Sequence, residues 1–258
     1  MRLAFALPLA LFLAPAQQSP QSVPASQPRR WADLVEPYEK AAALEAPPTG
    51  ALRVFLARHG QSVGNATRDD PKLSEEQKDK LSEKGKAEAT ALGTTLVKLG
   101  VTALLCSPAK RAEESAALVA EAFAQSAGVR PQTDASFGPL AYGRASKAGQ
   151  SPLSELASAW REGKDVRLEG GESLADMASR LRRGFADLAR TRATAPGATA
   201  VVAHGEVVLA AVLAFDASQL PKLLTTFSLP NASFAALDVA SDGAVTLRGI
   251  FAPPAPPK

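Results

Sequence analysis

One cysteine, Cys106, is all that this chain of 258 residues contains. That excludes an intramolecular disulfide and any multi-cysteine metal site, so stability must come from an ordinary apolar core. Net charge is equally sparse: 29 Lys and Arg stand against 26 Asp and Glu, a formal +3. So small a balance gives no polyanion-binding surface, and no nucleic-acid partner is expected. The leading apolar run, Leu3 to Leu13, is well short of the roughly 20 residues that span a bilayer. Histidine occurs only twice, at His59 and His204.

The first residues, MRLAFALPLALFLAPAQ, combine an early cation at Arg2, the apolar run and a small-residue site at Ala14-Pro15-Ala16. This is the layout of a cleavable secretory signal over residues 1–16; an uncleaved anchor is the alternative. Cleavage would remove Arg2 alone and leave 28 cations against 26 anions, a net +2. The expectation is an exported protein, periplasmic or secreted, with no stable membrane anchor after signal cleavage. Gln17 to Arg30 is rich in Gln, Ser and Pro and reads as a flexible spacer, being too poor in large apolar residues to repay the entropy of ordering. A short helix is expected over Trp31 to Leu44. Ala46-Pro47-Pro48-Thr49-Gly50 then punctuates the chain before a single domain over 51–252, and 253–258 is a Pro-rich tail.

Within that domain, strand-like and helical patterns alternate. Leu52 to Ala57, Ala103 to Ser107 and Thr199 to Ala203 are short apolar runs of the kind that buried strands show. Helices are expected from Ser82 to Leu99, from Pro108 to about Ala127 and from about Ser173 to Arg192. The last carries Leu174, Met177, Leu181, Phe185 and Leu188 at the spacing of one buried face. NASFAALDVA and VTLRGIF flank Asp242-Gly243 as a terminal hairpin. The order implies an α/β fold: a three-layer α/β/α sandwich, mostly parallel, with helices on both faces of the sheet.

Each histidine follows an apolar run, directly or one residue on, and precedes a glycine. Both therefore belong at carboxyl ends of strands, where ligands bind in open α/β sheets, and the glycines would let backbone approach a ligand. One histidine so placed is unremarkable; two, with no others in the chain, argue for a shared site. Arg58 sets a planar fork suited to phosphate beside His59, and Ser62 and Asn65 follow as candidate substrate contacts, or as mere caps of the loop turn.

RHGQSVGN (Arg58 to Asn65) resembles the signature of the histidine phosphatase superfamily, also called the phosphoglycerate mutase-like family. LSEKGKAEA, CSPAKRAEESA, GGESLADMASRL and VVAHGE resemble its further blocks, in the family's order. The resemblance implies that His59 takes up the phosphoryl group as a phosphohistidine while Arg58, Arg111 and His204 surround the phosphate. Two arginines and a second imidazole are what a transferring phosphoryl group needs, without metal or cofactor.

The pattern breaks at one place. Where the family carries a glutamate as general acid, in a segment of the form L-x-E-x-x-x-G, this chain reads FGPLAYG (Phe137 to Gly143), with Pro139 in the position of the acid. Three readings are open: Glu206 or Glu172 supplies the proton; no acid is used, which suits a good leaving group; or the protein binds phosphorylated ligands without efficient turnover. Glu206 is preferred as donor, and Glu172 is placed against the substrate. The reading is a metal-independent phosphatase for small phosphomonoesters, with Ser136 to Gly170 as its specificity segment.

Overall fold

The computed structural model describes residues 35–124, 128–143, 164–192, 194–215 and 229–253, together with Leu156, Ala159 and Glu162. The expected signal, the spacer, much of the specificity segment and most of the Pro-rich tail lie outside these residues. Among the described residues no helix is long and apolar enough to cross a membrane.

Seven strands form one sheet: β1 (Val35–Pro37), β2 (Leu52–Arg58), β3 (Val101–Cys106), β4 (Pro131–Thr133), β5 (Ala198–Ala203), β6 (Phe234–Val239) and β7 (Val245–Ala252). Their spatial order is β1-β7-β6-β2-β5-β3-β4. The sheet is mixed: β6 runs antiparallel to both β2 and β7, and the other four pairings are parallel. The antiparallel pair β6–β7 is the expected hairpin, and Gly243 takes a φ of 81° at its turn.

Helices α3 (Glu83–Lys98) and α4 (Lys110–Glu121) cover one face of the sheet. Helices α5 (Leu174–Arg192) and α6 (Gly205–Phe215) cover the other. Two small helices, α1 (Val63–Thr67) and α2 (Glu75–Lys78), precede α3. The period of two in the strands divides the core. Val54 and Leu56 of β2 join α5 and α6, whereas Phe55 and Ala57 join α3 and α4. All five apolar residues expected on one face of α5 are buried there, each contributing about 1.5–3 kcal/mol for a large side chain taken out of water.

The sequence reading and the structure differ at the beginning of the domain. Instead of a helix over Trp31 to Leu44, the described part of that segment is β1 followed by a 3-10 helix, Tyr38–Ala43. Val35–Pro37 pairs with Ile250–Ala252, and Tyr38 and Ala41 enter the core. The Ala46 to Gly50 punctuation therefore falls inside the folded unit and not at its boundary.

Candidate active site

Parallel pairing of β2 with β5, with Arg58 opposite Ala203, brings the two strands to their carboxyl ends side by side. His59 follows one and His204 the other, and the His59 N–H donates to Ala203 O at 2.9 Å. The imidazole centroids are 5.3 Å apart with ring planes at 66°, and both residues are buried. β3 ends beside them: Ser107 N–H donates to Val202 O at 2.9 Å.

Hydrogen-bond partners assign the tautomers. His59 Nδ1 lies 2.6 Å from Gly60 O, a carbonyl that can only accept, so Nδ1 carries the proton. His59 Nε2 receives Arg111 Nε at 3.1 Å, and His204 Nδ1 receives Arg111 Nη2 at 3.1 Å. A guanidinium only donates, so both of those ring nitrogens hold lone pairs, and His204 Nε2 carries the proton that it donates to Ser107 Oγ at 2.7 Å. Both imidazoles are therefore neutral. Burial, then the charges of Arg111 and Arg58, push the pKa of His59 well below 6.5; burial, Arg111, His59 and Arg58 do the same to His204. The atom with the lone pair on His59, Nε2, faces the positive groups that would hold a phosphate.

Arg111 sits at the second position of α4. Its third contact, from Nη1, is the carboxylate of Asp79, which also accepts Lys110 N–H at 3.0 Å and so caps α4 from outside the helix. Arg58 donates through Nη1 to Leu229 O and through Nη2 to Asn65 Oδ1 at 3.3 Å. Burial lowers its pKa and Glu206 and Glu88 raise it, leaving it below the ordinary arginine value.

Ser62 proves to be the N-cap of α1. Its hydroxyl accepts Asn65 N–H at 3.1 Å, and Asn65 Oδ1 accepts Ser62 N–H at 3.4 Å, a reciprocal capping box. Asn65 Oδ1 also meets Arg58 and, at 3.2 Å, Asn231 Nδ2. Ser62 is thus spent on the backbone, and Asn65 braces the arginine.

The glycines have a different reason from the one the sequence suggests. A Cβ on Gly60 would fall 2.2 Å from Gly85 O, and one on Gly85 would fall 2.0 Å from Gln61 O. The two motif glycines exist so that the loop after His59 and the start of α3 can touch backbone to backbone. A Cβ on Gly205 would meet nothing nearer than Arg58 Cδ at 3.5 Å.

Pro139 and the candidate acids separate clearly. Glu172 accepts Arg180 Nε at 2.9 Å and Arg180 Nη2 at 2.8 Å, and its second oxygen also takes Ala141 N–H at 3.1 Å. Arg180 in turn donates to the carbonyls of Ser136 at 2.7 Å, Gly138 at 3.2 Å and Pro139 at 3.4 Å. The pair is a clasp on the loop that carries Pro139. Burial pushes the Glu172 carboxyl up, but the Arg180 hydrogen bond, the Ala141 N–H and the Arg180 charge outweigh it and hold the group below its usual range. A carboxylate so held is a poor proton donor and has little left for substrate. Glu206, in the first turn of α6, is half-buried. Its charge raises the pKa of Arg58 and adds to the burial that raises Tyr142, which Arg111 opposes. Glu206 therefore lies near Arg58, among the groups that would hold a phosphate.

Asp79, Ser107, Ser115 and Asn231 were not singled out from the sequence. Ser115 accepts Gly60 N–H at 3.0 Å and donates to Arg111 O at 2.7 Å, joining the loop after His59 to α4. Asp79 stands in Lys78-Asp79-Lys80, which reads as a solvated charge run; only its position two residues ahead of LSEKG offered a signal.

The sequence model of the histidine phosphatase superfamily (branch 1) matches residues 54–249. A 2,3-bisphosphoglycerate-dependent phosphoglycerate mutase of Methylobacterium radiotolerans is 31% identical over 191 residues, 69% of this chain and 86% of that one. The probable phosphoglycerate mutase GpmB of Erwinia tasmaniensis is 28% identical over 139 residues, which span 52% of this chain and 61% of its own length. Among solved structures, a mycobacterial glucosyl-3-phosphoglycerate phosphatase in complex with VO3 superposes with a TM-score of 0.58 at 27% identity, covering 77% of this chain and 98% of that one. A phosphoglycerate mutase of Bacillus anthracis shares the fold, with a TM-score of 0.59 at 19% identity over 78% and 93% of the two chains.

Proposed function

Because this chain belongs to the histidine phosphatase superfamily, we propose that it is a metal-independent phosphatase, hydrolysing small phosphomonoesters through a phosphohistidine on His59. The observation that carries this reading is the lone pair on His59 Nε2, set against Arg111 with Arg58 and His204 beside it. Two guanidinium groups in so confined a site favour a phosphate dianion and repel a divalent cation.

In the first step His59 Nε2 attacks phosphorus in line, the P–N bond forms, the P–O bond to the leaving group breaks, and the leaving oxygen takes up a proton. In the second, water attacks phosphorus and returns a proton to the donor, the P–N bond breaks with its electron pair going back to His59 Nε2, and inorganic phosphate leaves. Arg111 must release His59 Nε2 before attack, and a phosphate oxygen is the acceptor that replaces it. The proton donor in our reading is Glu206; Glu172 is withdrawn from that role by its clasp with Arg180. The mutases and the phosphatase among the relatives act, by their names, on phosphoglycerates and their derivatives. For this chain we retain the wider class of small phosphomonoesters and disfavour a glycolytic mutase. Proline replaces the usual acid, and residues 1–16 read as an export signal that would carry the protein away from cytosolic intermediates.

A donor is worth about a hundredfold to ten-thousandfold in rate, and less for an easily departing group. The test is turnover of para-nitrophenyl phosphate and of an alkyl phosphate by the wild type, His59→Ala and Glu206→Gln. His59→Ala should abolish both activities, and Glu206→Gln should cost alkyl turnover alone. Turnover unchanged in His59→Ala would overthrow the mechanism; phosphate binding with no turnover in the wild type would favour a phospholigand-binding role.

A further inference from the structure

The segment upstream of residue 54, outside the match to the family, reaches the turn that holds the His59 carbonyl. β1 lies along β7, and the chain then turns so that Tyr38, buried at 5% exposure, stacks on Phe234 with centroids 5.3 Å apart and planes at 22°. Phe234 is itself held edge-on by Phe55 and tilted against Phe251, each at 5.3 Å. The ring of Tyr38 has little freedom to move.

Its hydroxyl donates to Ala232 O. Ala232 is wholly buried and takes a φ of 59°, in the left-handed region that alanine disfavours because its Cβ crowds the carbonyl. The N–H of the same residue donates to the carbonyl of His59 at 3.2 Å, and Asn231 Nδ2 donates to that carbonyl at 3.2 Å. The same turn anchors Arg58, whose N–H donates to Ser233 O at 2.8 Å and whose guanidinium donates to Leu229 O. Backbone in an unfavourable conformation persists only where neighbours determine it. Here the neighbours are Tyr38 on one side and His59 on the other.

We propose that Tyr38 is a positioning residue for the phosphoryl-accepting imidazole, acting through Ala232 to hold the His59 carbonyl and hence the ring. Burial, with the charge of Glu88, keeps its phenol protonated across the working pH range, so it remains a donor. The inference rests on reading His59 as the nucleophile. It gives the residues before the family match a task in the reaction.

Tyr38→Phe deletes the hydroxyl and keeps the stack on Phe234, so core packing alone should not register the change. With the full chain and para-nitrophenyl phosphate, rapid-quench measurement of His59 phosphorylation should show a rate about tenfold lower, the scale of one lost hydrogen bond. KM should change by less than the rate does, because Arg111 and His204 lie outside the turn and only Arg58 is anchored on it. Adding Ala232→Gly should restore most of the rate, since glycine adopts the left-handed conformation without a latch. A rate within about twofold of wild type in Tyr38→Phe, or a loss that Ala232→Gly leaves unrestored, overturns the proposal.

A second measurement is independent of turnover. With 15N-histidine the chain gives only two ring systems, assigned with His204→Ala. The His59 signals should move in Tyr38→Phe and return in the double variant; unmoved signals overturn the latch. Absence of phosphohistidine in the wild type would instead count against the proposed function, while the His59 signals would still decide for or against the latch.

Discussion

The carboxylate of Asp79 holds the one edge of Arg111 that the two histidines do not. It joins the loop before α3 to the first turn of α4 and fixes the direction in which the guanidinium fork opens. Since Asp79 also caps Lys110 N–H, Asp79→Ala should cost about 1 kcal/mol of stability through the lost cap. It should also lower kcat/KM by about tenfold through a loosened arginine. Asp79→Asn, which keeps an acceptor, should fall between. Thermal melts and steady-state kinetics on the three proteins check this, and unaltered kcat/KM in Asp79→Ala would contradict it.

The lowered pKa of both imidazoles sets a pH dependence. Below about pH 6.5 the unfolded chain protonates its histidines while the native state, with its pKa values depressed, does not. Stability from these groups is therefore fully present above pH 6.5 and declines as pH falls from there towards the native pKa values. Urea unfolding at pH 7.5 and 5.5 should show the decline, and a His59→Asn/His204→Asn variant should lose most of it. For the reaction, the free base of His59 persists well into acid, so the acid limb of kcat/KM should lie below pH 6.5. Arg111→Ala removes a charge that depresses His59, and the His59 titration followed by NMR should move upward.

His204 Nδ1 has no proton to give while it accepts from Arg111. To donate to a phosphate oxygen, His204 must either gain a proton or shift its own from Nε2 to Nδ1 while Ser107 reverses to donate to Nε2, and a dianion between two arginines favours the first. Vanadate or phosphate binding at pH 7.5 should accordingly take up a proton, visible as a binding enthalpy that changes with the ionisation enthalpy of the buffer. An enthalpy identical in phosphate-free Tris and HEPES would contradict the uptake.

Substitution at the glycines should reverse their apparent importance in the sequence. Gly85→Ala drives a Cβ to 2.0 Å from Gln61 O, a clash with backbone that cannot rotate away. It should cost about 1–3 kcal/mol and displace the loop after His59. Gly205→Ala, whose nearest new contact is 3.5 Å away, should leave activity within about threefold. Comparing the two variants by melting temperature and turnover is sufficient.

Glu172→Gln would disrupt the Arg180 clasp, and its expected cost is about 1–2 kcal/mol, that of a charge-assisted hydrogen bond. Alkyl-phosphate turnover should fall no more than aryl-phosphate turnover. A loss confined to alkyl substrates would restore Glu172 as proton donor.

The strands and helices that carry the site were legible because their apolar periods were clean: β2, β5 and α5 begin and end within a residue or two of where alternation and capping place them. The adjacency of the two histidines was legible for the same reason, as both follow buried runs. Tyr38, Asp79 and Asn231 were not. Each acts across a long sequence separation, and each lies in a segment whose local pattern gives no sign of the site: Tyr38 in an expected short helix, Asn231 at the head of a hairpin strand, Asp79 in a charge run. The fate of Ser62 and Glu172 was hidden too, because a hydroxyl or carboxylate in a motif does not reveal whether backbone or another side chain has already claimed it.

The pairing of β1 with β7 has one more consequence. Without Val35–Pro37, the end of β7, Ile250–Ala252, would join the rim of the sheet, with its unpaired N–H and C=O groups open beside Ile250 and Phe251. Such a rim templates strand addition from another molecule. A protein beginning at Ala51, where the prolines suggest a natural start, would thus carry a stickier flank and should self-associate more readily than the full chain.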